Sequence, residues 1–282
     1  MKNQIYKVLI YNITVLYHNP MDKTIVPIAG TPDSFLMLDV LPDPNGIMEH
    51  LKLLLVSTVD TNKQSFSKAR PRVSFYAEKD SNSNSLAYLR CPSIATVEEF
   101  TPELRAVANT IDPSVNIIKI VRYENGTKSI NAHADKTIDL DDEVPIYTVR
   151  LGAQRKIVLQ HKTNKTVITT TVPHNAMFIL GLKTNAEYTH AVPAEVDITD
   201  CTYSIILRKS VTFKDVQTDF LWGPRTKFPT YADLKGYLTT DGKVNDSKAE
   251  LVKLWGIENS CVVGSDHYKD YSCGVVSKSL DK

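Results

Sequence analysis

A chain of 282 residues with 42% hydrophobic content can form one large domain with attachments or two ordinary domains, and it buries a sizeable core in either case. Lys and Arg number 33 against 32 Asp and Glu, so the net charge of +1 excludes a global field for nucleic acid and leaves any polyanion contact to a local patch. The 4 cysteines contain no C-x-x-C, which argues against a zinc ribbon or a disulfide scaffold, and no run approaches the roughly 18 apolar residues of a membrane helix. Reduced thiols and no membrane segment make an intracellular setting, cytoplasmic or nuclear, the expectation.

Residues 1–32 hold one strand-like run, Val8 to Tyr17, followed by Pro20 and Pro27, and are expected to be an N-terminal extension. Asp43-Pro44 starts a helix whose apolar positions, Ile47, Leu51, Leu54 and Leu55, fall on one face and predict packing against a sheet. Between Thr58 and Pro92 the chain is polar and carries aromatics among arginines, with Phe75, Tyr76, Tyr88, Arg70, Arg72 and Arg90. This stretch reads either as an edge hairpin with half-buried aromatics or as a surface that holds a phosphate backbone and stacks on a base. Thr101-Pro102-Glu103 supplies a cap, a first-turn proline and an early acid for a second helix.

From Asn116 to Lys214 the character changes to strands. Ile117 to Tyr123, Ile146 to Leu151, Lys156 to Gln160, Thr166 to Val172, Met177 to Leu180 and Tyr203 to Leu207 are β-branched or aromatic runs. Turn signals such as Asn125-Gly126 and Leu151-Gly152 separate them, so a sandwich or barrel is expected. After Lys214, Phe220 to Arg225 reads as a turn-bearing linker. Tyr231, Leu234 and Leu238, then Leu251, Leu254 and Trp255, predict two amphipathic helices, so 215–282 is expected to be a helical C-terminal extension.

The chemistry centres on His133-Ala134-Asp135. On an extended segment, residues two apart project to the same side, so one imidazole and one carboxylate reach a single ion. With His190 as the third ligand, two imidazoles and a carboxylate occupy one face of an octahedron and leave the other positions open, as non-haem Fe(II) oxygenases require. The triplet alone is common, and an exposed pair with no ligand role is the competing reading.

What surrounds the triplet resembles the AlkB-like Fe(II)/2-oxoglutarate dioxygenases. Tyr123-Glu-Asn-Gly-Thr-Lys-Ser-Ile-Asn-Ala-His133-Ala-Asp135-Lys136 looks like that family's metal-binding core. Arg150-Leu-Gly152-Ala-Gln-Arg155 looks like its following strand pair, and Met177 to Gly181 with Tyr188-Thr-His190-Ala-Val-Pro193 looks like its distal-histidine strand. Arg208-Lys-Ser210-Val-Thr-Phe-Lys214 resembles its Arg-x-Asn/Ser-x-Thr-Phe-Arg ending. The resemblance covers about 70–214, and more loosely from 41 onward. It implies a double-stranded β-helix, a jelly roll of mainly β structure with supporting helices, in a domain over 33–214 with its metal and co-substrate core at 116–214.

The same resemblance implies Fe(II) as metal, with 2-oxoglutarate and O2 as co-substrates. Arg208 offers a planar, permanently charged fork for the distal carboxylate of 2-oxoglutarate, and Tyr123 a phenolic hydrogen bond to the same co-substrate. Ser210 and Lys214 belong to the co-substrate motif. Lys214 departs from the family's second arginine, and Val121 replaces an asparagine frequent in nucleic-acid demethylases.

Family members that act on nucleic acid carry a lid before the metal motif, here about 69–92. Its aromatics hold an extruded base. Tyr88, Phe75, Tyr76 and Arg90 are the corresponding substrate candidates. The implied reaction couples decarboxylation of 2-oxoglutarate to hydroxylation of a C–H bond, and an N-methyl group so hydroxylated leaves as formaldehyde. The expected substrate is an alkylated base in DNA or RNA, single-stranded or flipped. Hydroxylation of a protein side chain or small molecule, and a non-catalytic binding module on the same fold, remain the alternatives.

Overall fold

The computed structural model describes residues 6–10, 13–17, 24–57, 70–89 and 97–240. Strands β1 (Tyr6–Ile10) and β2 (Ile13–Tyr17) form a two-stranded hairpin where a single strand was expected. Next come β3 (Ile25–Pro27), β4 (Phe35–Met37) and α1 (Pro44–Ser57), the last beginning at the expected Asp43-Pro44. The aromatic stretch forms β5 (Arg72–Ala77) and β6 (Ser85–Ala87), followed by β7 (Val97–Glu99) and α2 (Pro102–Ile111).

The strand-rich half supplies β8 (Ile117–Tyr123), β9 (Ile130–His133), β10 (Ile146–Gly152), β11 (Arg155–His161), β12 (Val167–Val172) and β13 (Ala176–Leu180). After the short α3 (Leu182–Glu187) follow β14 (Tyr188–Val192), β15 (Thr202–Arg208), β16 (Phe213–Asp215), β17 (Leu221–Trp222) and α4 (Tyr231–Thr240).

Two sheets make the body: an eight-stranded one in the order β3-β4-β13-β10-β15-β8-β5-β7 and a four-stranded one in the order β12-β11-β14-β9. Alternation along each strand of the larger sheet feeds two cores. One face of β10 and β15, with Tyr147, Val149, Leu151, Ile205 and Leu207, packs on Leu51 of α1 and on Leu104 and Val107 of α2. The other face looks into the space between the sheets. There Ile146, Ala176 and Phe178 meet Ile157, Leu159 and Tyr188 of the smaller sheet. This is the double-stranded β-helix with helices on one side.

Three local findings differ from the sequence reading. The stretch around Phe75 to Tyr88 folds back in a short antiparallel turn, with Lys79 bridged to Leu86, but its strands join different sheets: β5 pairs with β8 and β7, while β6 pairs with β16 in a separate sheet completed by β17. The expected linker at Phe220 to Arg225 contains strand β17, which pairs with β16, and the buried Arg225 donates to the carbonyls of Ile138 and Leu140, tying this segment to the core. Within 1–32, β3 extends the large sheet at its edge, the position where Pro27 removes no needed ladder bond. The expected second C-terminal helix, at Leu251 to Trp255, lies outside the described residues.

Candidate metal centre and co-substrate pocket

His133 ends β9 and His190 stands in the middle of β14, and the two are register partners of the antiparallel pair. Their rings lie 4.3 Å apart between centroids. Asp135 follows two residues after the strand, where it is pinned from α3. Its backbone N–H donates to the Asn185 side chain at 2.8 Å, and the Asn185 amide donates back to its carbonyl at 2.8 Å. Ligand atoms of His133, Asp135 and His190 all come within 4.8 Å of one another. Each side chain is thus aimed by a different device: a strand end, a strand centre and an asparagine clamp.

Protonation states suit a cation. His133 Nδ1 lies 2.8 Å from the carbonyl of Asn131, an oxygen that only accepts, so Nδ1 carries a proton and Nε2 is the nitrogen left for a metal. That Nε2 faces Asp135 Oδ1 at 3.7 Å. Burial, offset in part by Asp135, pushes His190 down to about 4, so this imidazole is neutral at pH 7. Burial would raise the Asp135 carboxyl, yet Arg208, then His190, then Lys119 outweigh it and hold Asp135 below the usual carboxylate range. Nδ1 of His190 is buried with no hydrogen-bond partner, a cost that a bound ligand or ion nearby would reorganise. Two imidazoles, His190 neutral among them, and an ionised carboxylate are a donor set that fits Fe(II).

Other expected residues are dispersed. Arg208 Nη2 donates to Asp135 Oδ2 at 2.6 Å, so that arm of its fork is held by the metal-site carboxylate, while its buried Nε has no partner. Tyr123 stands at the opposite end of the β8–β15 pair, opposite Thr202, while Arg208 is opposite Ile117. The two do not converge on one group. Lys214 is half-exposed and pairs with Asp219 at 3.0 Å. Ser210 is buried, its hydroxyl within reach of the carbonyls of Tyr88 and Asp139 and accepting from the Thr212 N–H, which makes it a brace for the turn into β16.

Tyr76 is 1% exposed in the core behind the large sheet, so no base can stack on it. The alternation that places Phe75 on the inner face sends Tyr76 to the helix side. Phe75 lies beneath the Lys119 ammonium, 5.9 Å from the ring centroid. Tyr88 is half-buried just after β6, its backbone N–H bonded to Thr212. Arg90 lies outside the described residues.

Sequence reasoning missed Asn185, and also the arginines of β10 and β11. Arg150 and Arg155 are both 0% exposed and flank the Tyr123 ring, with guanidinium carbons 5.7 and 4.9 Å from its centroid. The signal was available: Val149-Arg150-Leu151 puts a charge inside an apolar run, where a buried cation needs a purpose.

A family model for the 2OG-Fe(II) oxygenase superfamily matches residues 48–213, well over half of the chain, and the chain belongs to that superfamily. The superfamily implies Fe(II), 2-oxoglutarate and O2, which agrees with the donor set above.

Among curated proteins the chain is similar to the human (Homo sapiens) DNA oxidative demethylase ALKBH2, an AlkB-type relative, with 24% identity over 116 residues. That match covers 38% of this chain and 44% of the relative, so the chain spans less than half of the relative's length. Among solved structures, OsALKBH1 gives a TM-score of 0.45 at 12% identity, covering 62% of this chain and 96% of that one. The Drosophila melanogaster CENP-C cupin domain gives 0.26 at 6% identity, covering 32% and 59% respectively. Both structural likenesses are remote, and the fold stands on the strand order itself. Among the described residues no helix is long and apolar enough to cross a membrane.

Proposed function

We propose that this superfamily member is an Fe(II)- and 2-oxoglutarate-dependent dioxygenase that demethylates N-alkylated bases in DNA or RNA, with His133, Asp135 and His190 as its iron ligands. The observation that carries the reading is the convergence of those three donors within 4.8 Å, in protonation states a dication accepts. Bound iron would supply activation of O2 at the expense of 2-oxoglutarate. The chain's own part is to hold the site. Asn185 fixes the Asp135 backbone, Asn131 fixes the His133 tautomer, and Arg208 keeps the carboxylate ionised.

Similarity to a DNA oxidative demethylase supports a nucleic-acid base as substrate. Phe75 and Tyr88 are the aromatic candidates for holding it; Phe75 lies under Lys119, and Tyr88 sits at the edge of the third sheet. The near-balance of 33 basic and 32 acidic residues favours a second reading, hydroxylation of a protein side chain or a small molecule. The test is formaldehyde release from N-methylated single-stranded oligonucleotides by protein loaded with Fe(II) and 2-oxoglutarate, with His133→Ala as control. Release that His133→Ala abolishes supports demethylation. Succinate formation without formaldehyde from any methylated oligonucleotide favours the second reading.

A further inference from the structure

Arg150 and Arg155 enter from different sheets and meet at one end of the barrel. The crossing from β10 to β11 is only two residues long, Ala153 and Gln154, and Gly152 makes it possible with a φ of +87°. Arg155 is well anchored. Its Nε donates to Glu195 at 3.1 Å, and its Nη2 donates to the carbonyls of Lys128 and Pro193 at 2.8 and 2.7 Å. Nη1 of the same fork is buried with no partner. Arg150 donates to Ser204 Oγ and to the Tyr123 hydroxyl, and its buried Nε has no partner. The Tyr123 hydroxyl, bonded to Ser204 and Arg150, completes the group.

The charges do not balance. Two fully buried guanidiniums share one carboxylate, Glu195, which Lys156 also approaches at 3.7 Å. Among the described residues no carboxylate pairs with Arg150. A buried cation without an anion is strongly unfavourable unless a ligand supplies the charge. Burial and the neighbouring Arg155 both lower the Arg150 pKa, while Tyr123 opposes them. An anion entering here would remove the repulsion and satisfy the two orphaned N–H groups.

Position identifies the anion. Pro193, which Arg155 holds, follows His190 by three residues, about 10 Å along an extended chain. Val121, Val192 and Ile206 pack with Tyr123 and give the cationic end an apolar flank. A carboxylate at one end, apolar walls beside it and a metal at the other match a short dicarboxylic keto-acid.

We propose that Arg150 and Arg155, with Tyr123, form the seat for the distal carboxylate of 2-oxoglutarate in this chain, in place of Arg208, whose fork serves Asp135. The assignment rests on the oxygenase reading above and adds to it the residues that choose the co-substrate. The acid is bound as its dianion, and no bond is made or broken at this end.

Calorimetric titration of the full chain loaded with Mn(II) tests it, using 2-oxoglutarate and 2-oxobutyrate, which lacks the distal carboxylate. Wild-type protein prefers 2-oxoglutarate by about 10- to 100-fold, the size of a lost hydrogen bond between charged groups. Arg150→Met removes the preference while Mn(II) and 2-oxobutyrate affinities stay as in wild type. Arg150→Lys, which keeps a buried cation but not the fork, narrows the preference and decides the matter if the methionine variant fails to fold. Equal loss for both acids, or an undiminished preference in the lysine variant, overturns the assignment. Wild-type protein that binds Mn(II) but neither acid overturns the oxygenase reading along with it, and so separates the two failures.

Discussion

Asp135 has two duties, and Arg208 connects them. A carboxylate that must hold a dication is best ionised before the ion arrives, and the 2.6 Å bond from Arg208 secures this inside a buried site. Truncating one partner of a buried pair strands the other, so Arg208→Leu should lower the stability of the metal-free protein by about 3 kcal/mol or more in urea denaturation. His190 gives a second expectation. Its folded value of about 4 lies below the ordinary 6.5, so between these values the unfolded chain binds the extra proton. The metal-free protein should therefore lose stability as pH falls from 6.5 to about 4, and His190→Asn should flatten the melting-temperature profile across that window.

Among the elements, a strict geometric demand falls at Gly152, between β10 and β11. A Cβ there would meet the Cys201 carbonyl at 2.3 Å, on backbone that L-residues rarely adopt. Gly152→Ala should destabilise by about 1–3 kcal/mol and, by moving Arg155 relative to Arg150, weaken 2-oxoglutarate binding in the same titration. Thr101→Ala is the contrasting case. It removes the bond from the Leu104 N–H to the Thr101 hydroxyl at the start of α2, and should cost about 1 kcal/mol with metal affinity unchanged.

These two cases also mark what the sequence could reveal. The Thr101-Pro102 cap, the bounds of β8 and the donors His133, Asp135 and His190 were legible because each depends on local pattern or spacing. The partner of Arg208, the burial of Tyr76 and the Asn185 clamp were not, since they depend on which elements face one another. Period-two alternation tells which residues share a face but not what lies opposite. A buried Arg150 could be suspected from its apolar run, but its meeting with Arg155 could not, since only a crossing between two sheets brings them together.

The jelly roll places its metal candidate where β9, β14 and the loop clamped by α3 meet, and its buried arginine pair at the end where β8, β10, β11 and β15 converge. A ligand that bridges the two would lock the small sheet to the large one. Saturating metal should raise the melting temperature, with about 2.7 kcal/mol of stabilisation at a hundredfold excess over Kd, and a chelator should reverse it.

The central claim is that two imidazoles and a carboxylate from separate segments bind one iron. Anaerobic equilibrium dialysis with Fe(II) tests it most directly. The account predicts a single equivalent bound by wild-type protein and none by His190→Ala at the same free iron; undiminished binding in that variant, with its fold intact, would contradict it.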